Sequence, residues 1–248
     1  MSTWSVLNSP GVPIVLYIFS HTMLLALAYT AVMPTFLYTP IEEGGIGFDP
    51  TWISYTIALA GASQALWLLL VFPSLQKKIG TGNLLRYCAA FWPLFMASLP
   101  IYNEFVRHGY KTAFWITAPL FTALGSGVAM AFGAYALRFA HAMNLLTLPT
   151  ACVQLCLNDI SPSPTVLATV NALALSLNSG VRAVAPALFN SIFATGVKIG
   201  WADGHLVWFI LVALALALNI PVYFLPEAAQ GRPIKQKKTN TSEEDVIR

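Results

Sequence analysis

Charge is the scarcest commodity in this chain. Only 9% of its 248 residues are Asp, Glu, Lys or Arg, while 57% are hydrophobic. Soluble domains carry about 25% charged residues. So few charges cannot clothe the surface of a water-soluble globule, which leaves lipid as the solvent for most of the chain. Basic residues are absent before Lys77. No Asp or Glu lies deep in an apolar run, and Asp159 stands at a loop end. His21 is the one imidazole deep within a run of single-span length, and a lone histidine there is more often a packing or hydrogen-bonding residue. Proton-coupled carriers ordinarily place a titratable carboxylate or histidine in the membrane, so coupling machinery is missing from these residues. Cysteine is also sparse. Cys152 and Cys156 are four apart on one helix face, but no His or carboxylate joins them at metal-ligand spacing. These two and Cys88 read as packing residues. A phosphate loop, a nucleophile elbow and a paired-carboxylate site are all lacking. A membrane-embedded enzyme would need His or acidic clusters near an interface. The chain is therefore read as no enzyme, with no cofactor, no metal and no nucleic-acid partner.

What is present is long apolar runs. A bilayer-spanning helix needs about 20 mostly apolar residues, and six runs qualify: 12–38, 52–72, 84–102, 113–158, 166–195 and 205–225. Backbone amides in lipid must be satisfied internally, so each run is expected to be a helix. The first run lacks a basic flank and is too long for the apolar core of a signal peptide. It reads as a span.

Lys and Arg accumulate in cytoplasmic loops. Lys77, Lys78 and Arg86 form one basic segment, and Arg232, Lys235, Lys237 and Lys238 form another. The loop IEEGGIGFDP carries Glu42, Glu43 and Asp49 without a base, and is assigned outside or to a lumen. Four helices between the basic segments put both on one side. The simplest topology is six helices with both termini cytoplasmic. The fourth run is too long for one crossing, and two crossings would send the basic tail outside. One helix carrying an insertion, AYALRFAHAMNLLTLPTA at 134–151, restores the count. A translated intron and an interfacial loop or extended helix both account for that insertion. Residues 228–248 are polar and without apolar period, as expected of a disordered tail.

One cation breaks the apolar pattern. In NALALSLNSGVRAVAPAL, residues 171–188, the sole charge is Arg182. An intramembrane charge costs a few kcal/mol on insertion scales and faces a bundle interior or a watery cavity. Asn171 and Asn178 precede it by eleven and four residues, within about 40° around a helix of 3.6 residues per turn. The three make a polar stripe. Beside it run two ladders of small residues, Ala168–Ala172–Ser176–Gly180 and Ser179–Ala183–Ala187–Ser191. Small residues every fourth position let helices approach closely. Pro186 lies four residues after Arg182, where it is expected to bend the helix or free a carbonyl. Two readings stand: a cavity-lining transport helix, or an arginine that snorkels or bonds a neighbouring helix for structural reasons.

Four stretches resemble one family in order: TAVMPTFLYTPIEEGGIGFDPTWIS, GASQALWLLLVFPSLQKKIGTGNLLR, LNDISPSPTVLATVNALALSLNSGVRAVAPALFNSIFATGV and LPEAAQGR. The chain resembles the C-terminal half of a fungal major facilitator superfamily transporter, of the drug:proton antiporter type related to zinc-induced-facilitator-like proteins. The third stretch is the most specific, with Asn171, Arg182 and Pro186 at positions where an Asn, an Arg and a following Pro recur in the family. The resemblance implies an all-α polytopic membrane protein: a six-helix bundle equal to helices 7 to 12 of a twelve-helix fold, with substrate bound at midplane between two halves. It implies transport of a small solute, proton-coupled through an acid in the N-terminal half. Gln64 and Trp67, with Asn171, Asn178 and Arg182, would line the cavity, while Pro186 and Gly180 shape the helix. Tyr29 and His21 are weaker candidates for substrate contact. The implied partners are the lipid bilayer, a small-molecule substrate, and either a missing N-terminal half or a second copy. The membrane is plasma, vacuolar or another organellar one. The competing readings are a six-helix subunit that pairs with itself or with another half, and a non-transporting relic. The clear Lys/Arg bias argues against an antiparallel pair but not a parallel one.

Overall fold

The computed structural model describes residues 7–66, 78–110, 112–118 and 164–226, with the single positions 4, 70 and 156. Among these residues there are helices and turns but no strand, as the all-α expectation requires. The long helices are α1 (Val12–Tyr38), α2 (Pro50–Leu66), α3 (Thr81–Arg107), α4 (Pro164–Ile199) and α5 (Leu206–Tyr223). A further helical stretch runs over 112–118. Val12–Tyr38, Thr81–Arg107, Val166–Ile199 and Leu206–Tyr223 are each long and apolar enough to cross a bilayer. Most of the fourth apolar run, including 134–151, lies outside the described residues, as do Trp67 and the tail.

Helix boundaries follow the apolar pattern until polar chemistry extends them. α1 matches the expected 12–38 at both ends. α3 outruns the expected 84–102 because its last turn is held by charges. The Glu104 carboxylate lies 3.8 Å from Arg107 and 3.1 Å from His108, the spacing at which side chains share a helix face. α2 begins at Pro50 because Asp49 caps it. The Asp49 carboxylate accepts from the Trp52 amide at 2.9 Å, and proline suits the first helical position, where no amide is needed.

Contacts between helices fix their directions. Arg86, near the start of α3, donates to the Tyr223 carbonyl at the end of α5. Arg107, at the other end of α3, pairs at 3.0 Å with Asp203, just before α5. α3 and α5 are therefore antiparallel. The Thr35 hydroxyl, near the end of α1, donates to Asn190 Oδ1, near the end of α4. The ends of α1, α3 and α4 and the start of α5 thus share one end of the bundle. Trp92, Trp208, Phe36, Met96, Leu211 and Leu218 are fully buried in the core. Phe36 and Trp208 meet edge to face at 5.0 Å, joining α1 to α5.

Proline leaves a specific debt in α3. Pro93 has no amide to offer the carbonyl four residues earlier, that of Ala89. The Asn219 amide of α5 supplies the missing donor, at 3.1 Å from the Ala89 oxygen and 3.0 Å from that of Ala215. A freed carbonyl in a membrane helix is tolerated where a neighbouring helix satisfies it, and Asn219 does so here.

At the end shared by α1 and α3, two turns touch backbone to backbone. Gly44 and Gly204 both have positive φ, at 90° and 85°. A Cβ on Gly44 would strike the Asp203 carbonyl, and one on Gly204 the Glu43 carbonyl. Asn103, fully buried in α3, donates to the Ile41 carbonyl at 3.0 Å and the Gly45 carbonyl at 2.5 Å.

Candidate functional site

α4 is the least covered span of the bundle. Only 17% of its most apolar window is buried, against 50% in α1, 56% in α3 and 33% in α5. Its buried stripe is Val166, Val170, Ala174, Ala185, Phe189 and Phe193, and it packs chiefly against α1. Both small-residue ladders lie on the other side. Ala168, Ala172, Ser176, Gly180, Ser179, Ala183, Ala187 and Ser191 are all exposed. Among the described residues, nothing comes within 4 Å of the place a Gly180 side chain would occupy.

Arg182 is exposed on this open side. Asn171 and Asn178 are half-buried at its border. The Asn178 carbonyl oxygen is enclosed by protein without a hydrogen-bond partner among the described residues. The ion pairs among those residues, Arg107–Glu104, Arg107–Asp203 and His108–Glu104, do not involve Arg182. Pro186 is half-buried within an α4 assigned as one helix from Pro164 to Ile199. Its ring removes the amide that would have met the Arg182 carbonyl. Gln64 lies in the last turn of α2. The structure thus gathers Arg182, Asn178, Asn171, Gly180 and Pro186 on one helix.

A second feature was not anticipated. A cavity of about 240 Å³ opens between α1, α2, α3 and the 112–118 helix. No residue of α4 or α5 lines it, so it is separate from Arg182. Its walls include Tyr29, Phe48, Trp52, Phe95, Phe114 and Trp115. Phe48 reaches it because the segment after α1 folds back on the helix end. The Ile46 amide donates to the Phe36 carbonyl at 3.2 Å, and the Phe48 amide to that of Leu37 at 2.8 Å. Gly47, at φ 71°, allows the reversal. Trp52 and Trp115 pack at 5.1 Å, and Tyr29 meets Phe95 at 5.5 Å. The one signal for this site in the sequence is the close spacing of Phe48, Trp52 and Tyr55, which aromatic anchors at a membrane interface share. His21 does not line it.

The electrostatics concentrate at the end where Arg107 meets Asp203. His205 is buried beside that pair. Its Nδ1 lies 2.9 Å from the Ala202 carbonyl, so the ring donates there, and its enclosed Nε2 has no partner among the described residues. Burial pushes its imidazole below the ordinary value. The Ala202 carbonyl, Glu104 and Asp203 oppose that shift, and Arg107 reinforces it. Among the described residues no group of three or more His, Cys, Asp or Glu is placed to hold a metal.

No family model matches the chain, and no solved structure does. Known proteins do. It is 41% identical over 236 residues to the efflux pump azaK of Aspergillus niger, covering 94% of this chain and 47% of that one. It is 25% identical over 200 residues to the major facilitator-type transporter psiT2 of Psilocybe cyanescens, covering 79% and 35%. It is 21% identical over 217 residues to the major facilitator superfamily multidrug transporter mfsB of Aspergillus fumigatus, covering 84% and 32%. The chain spans about half the length, or less, of these curated relatives. All three are named as pumps or transporters rather than enzymes, and their match to apolar bilayer-length helices makes this an integral membrane protein. By this likeness the chain is a homologue of part of the fungal major facilitator superfamily transporters.

Proposed function

We propose that this chain is the C-terminal half, helices 7 to 12, of a secondary carrier that exports a small organic solute, with the open face of α4 lining the path. The observation that carries the reading is the open face itself. α4 buries 17% of its most apolar stretch and leaves both small-residue ladders and Arg182 uncovered. A lone arginine facing lipid is costly, whereas one facing a watery cavity or a second protein half is tolerated. Small residues every fourth position suit a close-packed and sliding contact. Asn178, whose side-chain oxygen has no partner among the described residues, and Asn171 widen the polar strip beside Arg182, and Gln64 and Trp67 of the second apolar run would add to it. Pro186 and Gly180 let the helix flex.

The directions of the described helices support six crossings. α3 ends, and the 112–118 helix follows, at the end of the bundle where α4 finishes. An odd number of crossings between 118 and 164 meets that requirement; three would need about 60 residues, so one crossing is left, with residues to spare for the insertion. Both basic segments then lie in the cytoplasm. Proton coupling would use an acid on the N-terminal half. The relative named an efflux pump favours export.

The test is a pairing and efflux experiment. A single cysteine at Gly180 is crosslinked in yeast membranes, with and without a co-expressed six-helix N-terminal half. Efflux of a panel of neutral and anionic dyes is then followed. Crosslinking to that half, with efflux that needs both pieces, is the expected result. Crosslinking between two copies of this chain, with efflux from it alone, would establish the self-pairing subunit instead. Neither crosslink nor efflux would defeat the transport reading.

A further inference from the structure

We infer that the aromatic cavity between α1, α2, α3 and the 112–118 helix is a binding site for a neutral, planar aromatic molecule of about two fused rings. The inference is independent of the α4 face, because no α4 residue lines the cavity.

Size comes first. An apolar cavity of about 150 Å³ holds a benzene, and drug-sized ligands occupy roughly 300–1,000 Å³. At about 240 Å³ this one falls between them. Chemistry comes next. None of the described lining residues is charged. An ionised ligand would lose its hydration without gaining a counter-charge. Aromatic walls instead offer faces and edges to another ring, in the offset or perpendicular packing such rings prefer. Trp115 and Phe48 lie nearly parallel, 20° apart, while Phe114 stands edge-on to both at 5.6 and 6.0 Å. An acyl chain fills a smooth apolar groove equally well but gains nothing from ring faces.

Two hydroxyls of the described walls are left as polar handles, that of Tyr29 within the cavity and that of Tyr55 at its mouth. The cavity residue Tyr102 is already engaged by Ser98, and Thr56 is committed to the Trp52 carbonyl at 2.8 Å. Tyr29 packs its ring edge against Phe95, and its hydroxyl bonds no described residue. Of the two it is the less exposed, placed to meet one acceptor or donor on a bound ring. The mouth is edged by Trp52 and Trp115, each 47% exposed, and by Tyr55 at 64%. These are side chains able to swing aside without unpacking the core.

The experiment is photolabelling of the full chain in lipid nanodiscs. The probe is a naphthyl ketone carrying a diazirine, with the crosslinks mapped by mass spectrometry. Labelling should concentrate on peptides containing Phe48, Trp52 and 112–118, and excess unlabelled naphthyl ketone should compete it away. Ala118→Phe, which fills the cavity from its wall, should lower labelling on the order of tenfold, about 1.4 kcal/mol. Tyr29→Phe, nearly isosteric, should weaken the ketone probe while sparing a naphthyl hydrocarbon diazirine, and so remains informative should Ala118→Phe misfold. Labelling spread over the outer faces of α4 and α5, indifferent to competitor and to both variants, would overturn the site in favour of simple lipid partition. Displacement by oleate, or by a quaternary naphthyl ammonium as readily as by the neutral ketone, would overturn the ligand class.

Discussion

Asn219 and Pro93 should be energetically coupled although they sit on different helices. The carbonyl of Ala89 lacks an intrahelical donor because residue 93 is proline, and the Asn219 amide replaces that donor at 3.1 Å. Interhelical hydrogen bonds within membranes are worth about 0.6 kcal/mol on average and up to about 1.7. This one serves an oxygen that would otherwise have no partner, so the upper part of that range applies. Asn219→Ala should therefore cost about 1–2 kcal/mol in the native background. Pro93→Ala returns an amide to position 93, which then reaches the Ala89 carbonyl along the helix. In that background Asn219→Ala should cost about 0.5 kcal/mol or less, because only the bond to Ala215 is lost. The coupling from the double-mutant cycle is then about 1 kcal/mol. The assay is reversible unfolding in SDS–detergent mixtures, followed by tryptophan fluorescence, for the four proteins of the cycle. Equal costs of Asn219→Ala in the two backgrounds would refute the reasoning. Asn219 would then be packing against α3 rather than satisfying a proline-freed carbonyl.

Three further outcomes are expected. Gly204→Ala and Gly44→Ala should destabilise more than Gly109→Ala, as read by thermal unfolding. All three positions have positive φ, costing about 1–2 kcal/mol for an L-residue, but only the first two also push a Cβ into an opposing backbone. Arg182→Ala should lower solute efflux on the order of tenfold, about 1.4 kcal/mol in the barrier, at unchanged membrane abundance. Parallel loss of efflux and abundance would favour a structural arginine. The fold should weaken on acidification through His205. Its folded-state pKa lies below the ordinary value of about 6.5, so the unfolded chain takes up the proton first as pH falls. That contribution is fully present above about 6.5 and is lost progressively below it. The unfolding midpoint should drop between pH 7.5 and 5 by more in the native protein than in His205→Gln, and equal drops would remove His205 from the account.

The helical class was legible because lipid makes one demand of every residue. A backbone that must satisfy itself leaves long apolar runs a single regular form, and Val12–Tyr38 emerges with the ends its sequence pattern indicates. Ends shaped by side-chain bonds were less legible. The last turn of α3 exists because Glu104 meets Arg107 and His108, and an apolar count stops short of it. Nothing local announces that Asn219 serves a proline 126 positions away in chain order, since that pairing depends on the antiparallel packing of α3 and α5. The same limit hid the aromatic cavity. Phe48, Trp52, Phe95 and Phe114 come from separate segments, and only the reversal at Gly47 turns Phe48 toward the others.

The polar stripe on α4 was legible for a different reason. Its residues are all on one helix, so spacing alone settles which share a face. Spacing could not settle whether that face is covered, and that question separates an arginine that bonds a neighbouring helix from one that lines a cavity or snorkels. A structural arginine that bonds a neighbouring helix should be enclosed by its own chain. Here the buried stripe of α4, from Val166 to Phe193, packs while the arginine and both small-residue ladders face outward. Selection for packing within this chain alone would place the small residues on the packed side, where close approach is gained. Their placement on the open side is explained if close approach is needed against something the described bundle does not contain. Arg182, costly against lipid, and the ladders, idle against lipid, call for the same missing surface. One surface that accounts for both is the economical reading, and a cysteine at Gly180 is the place to look for it.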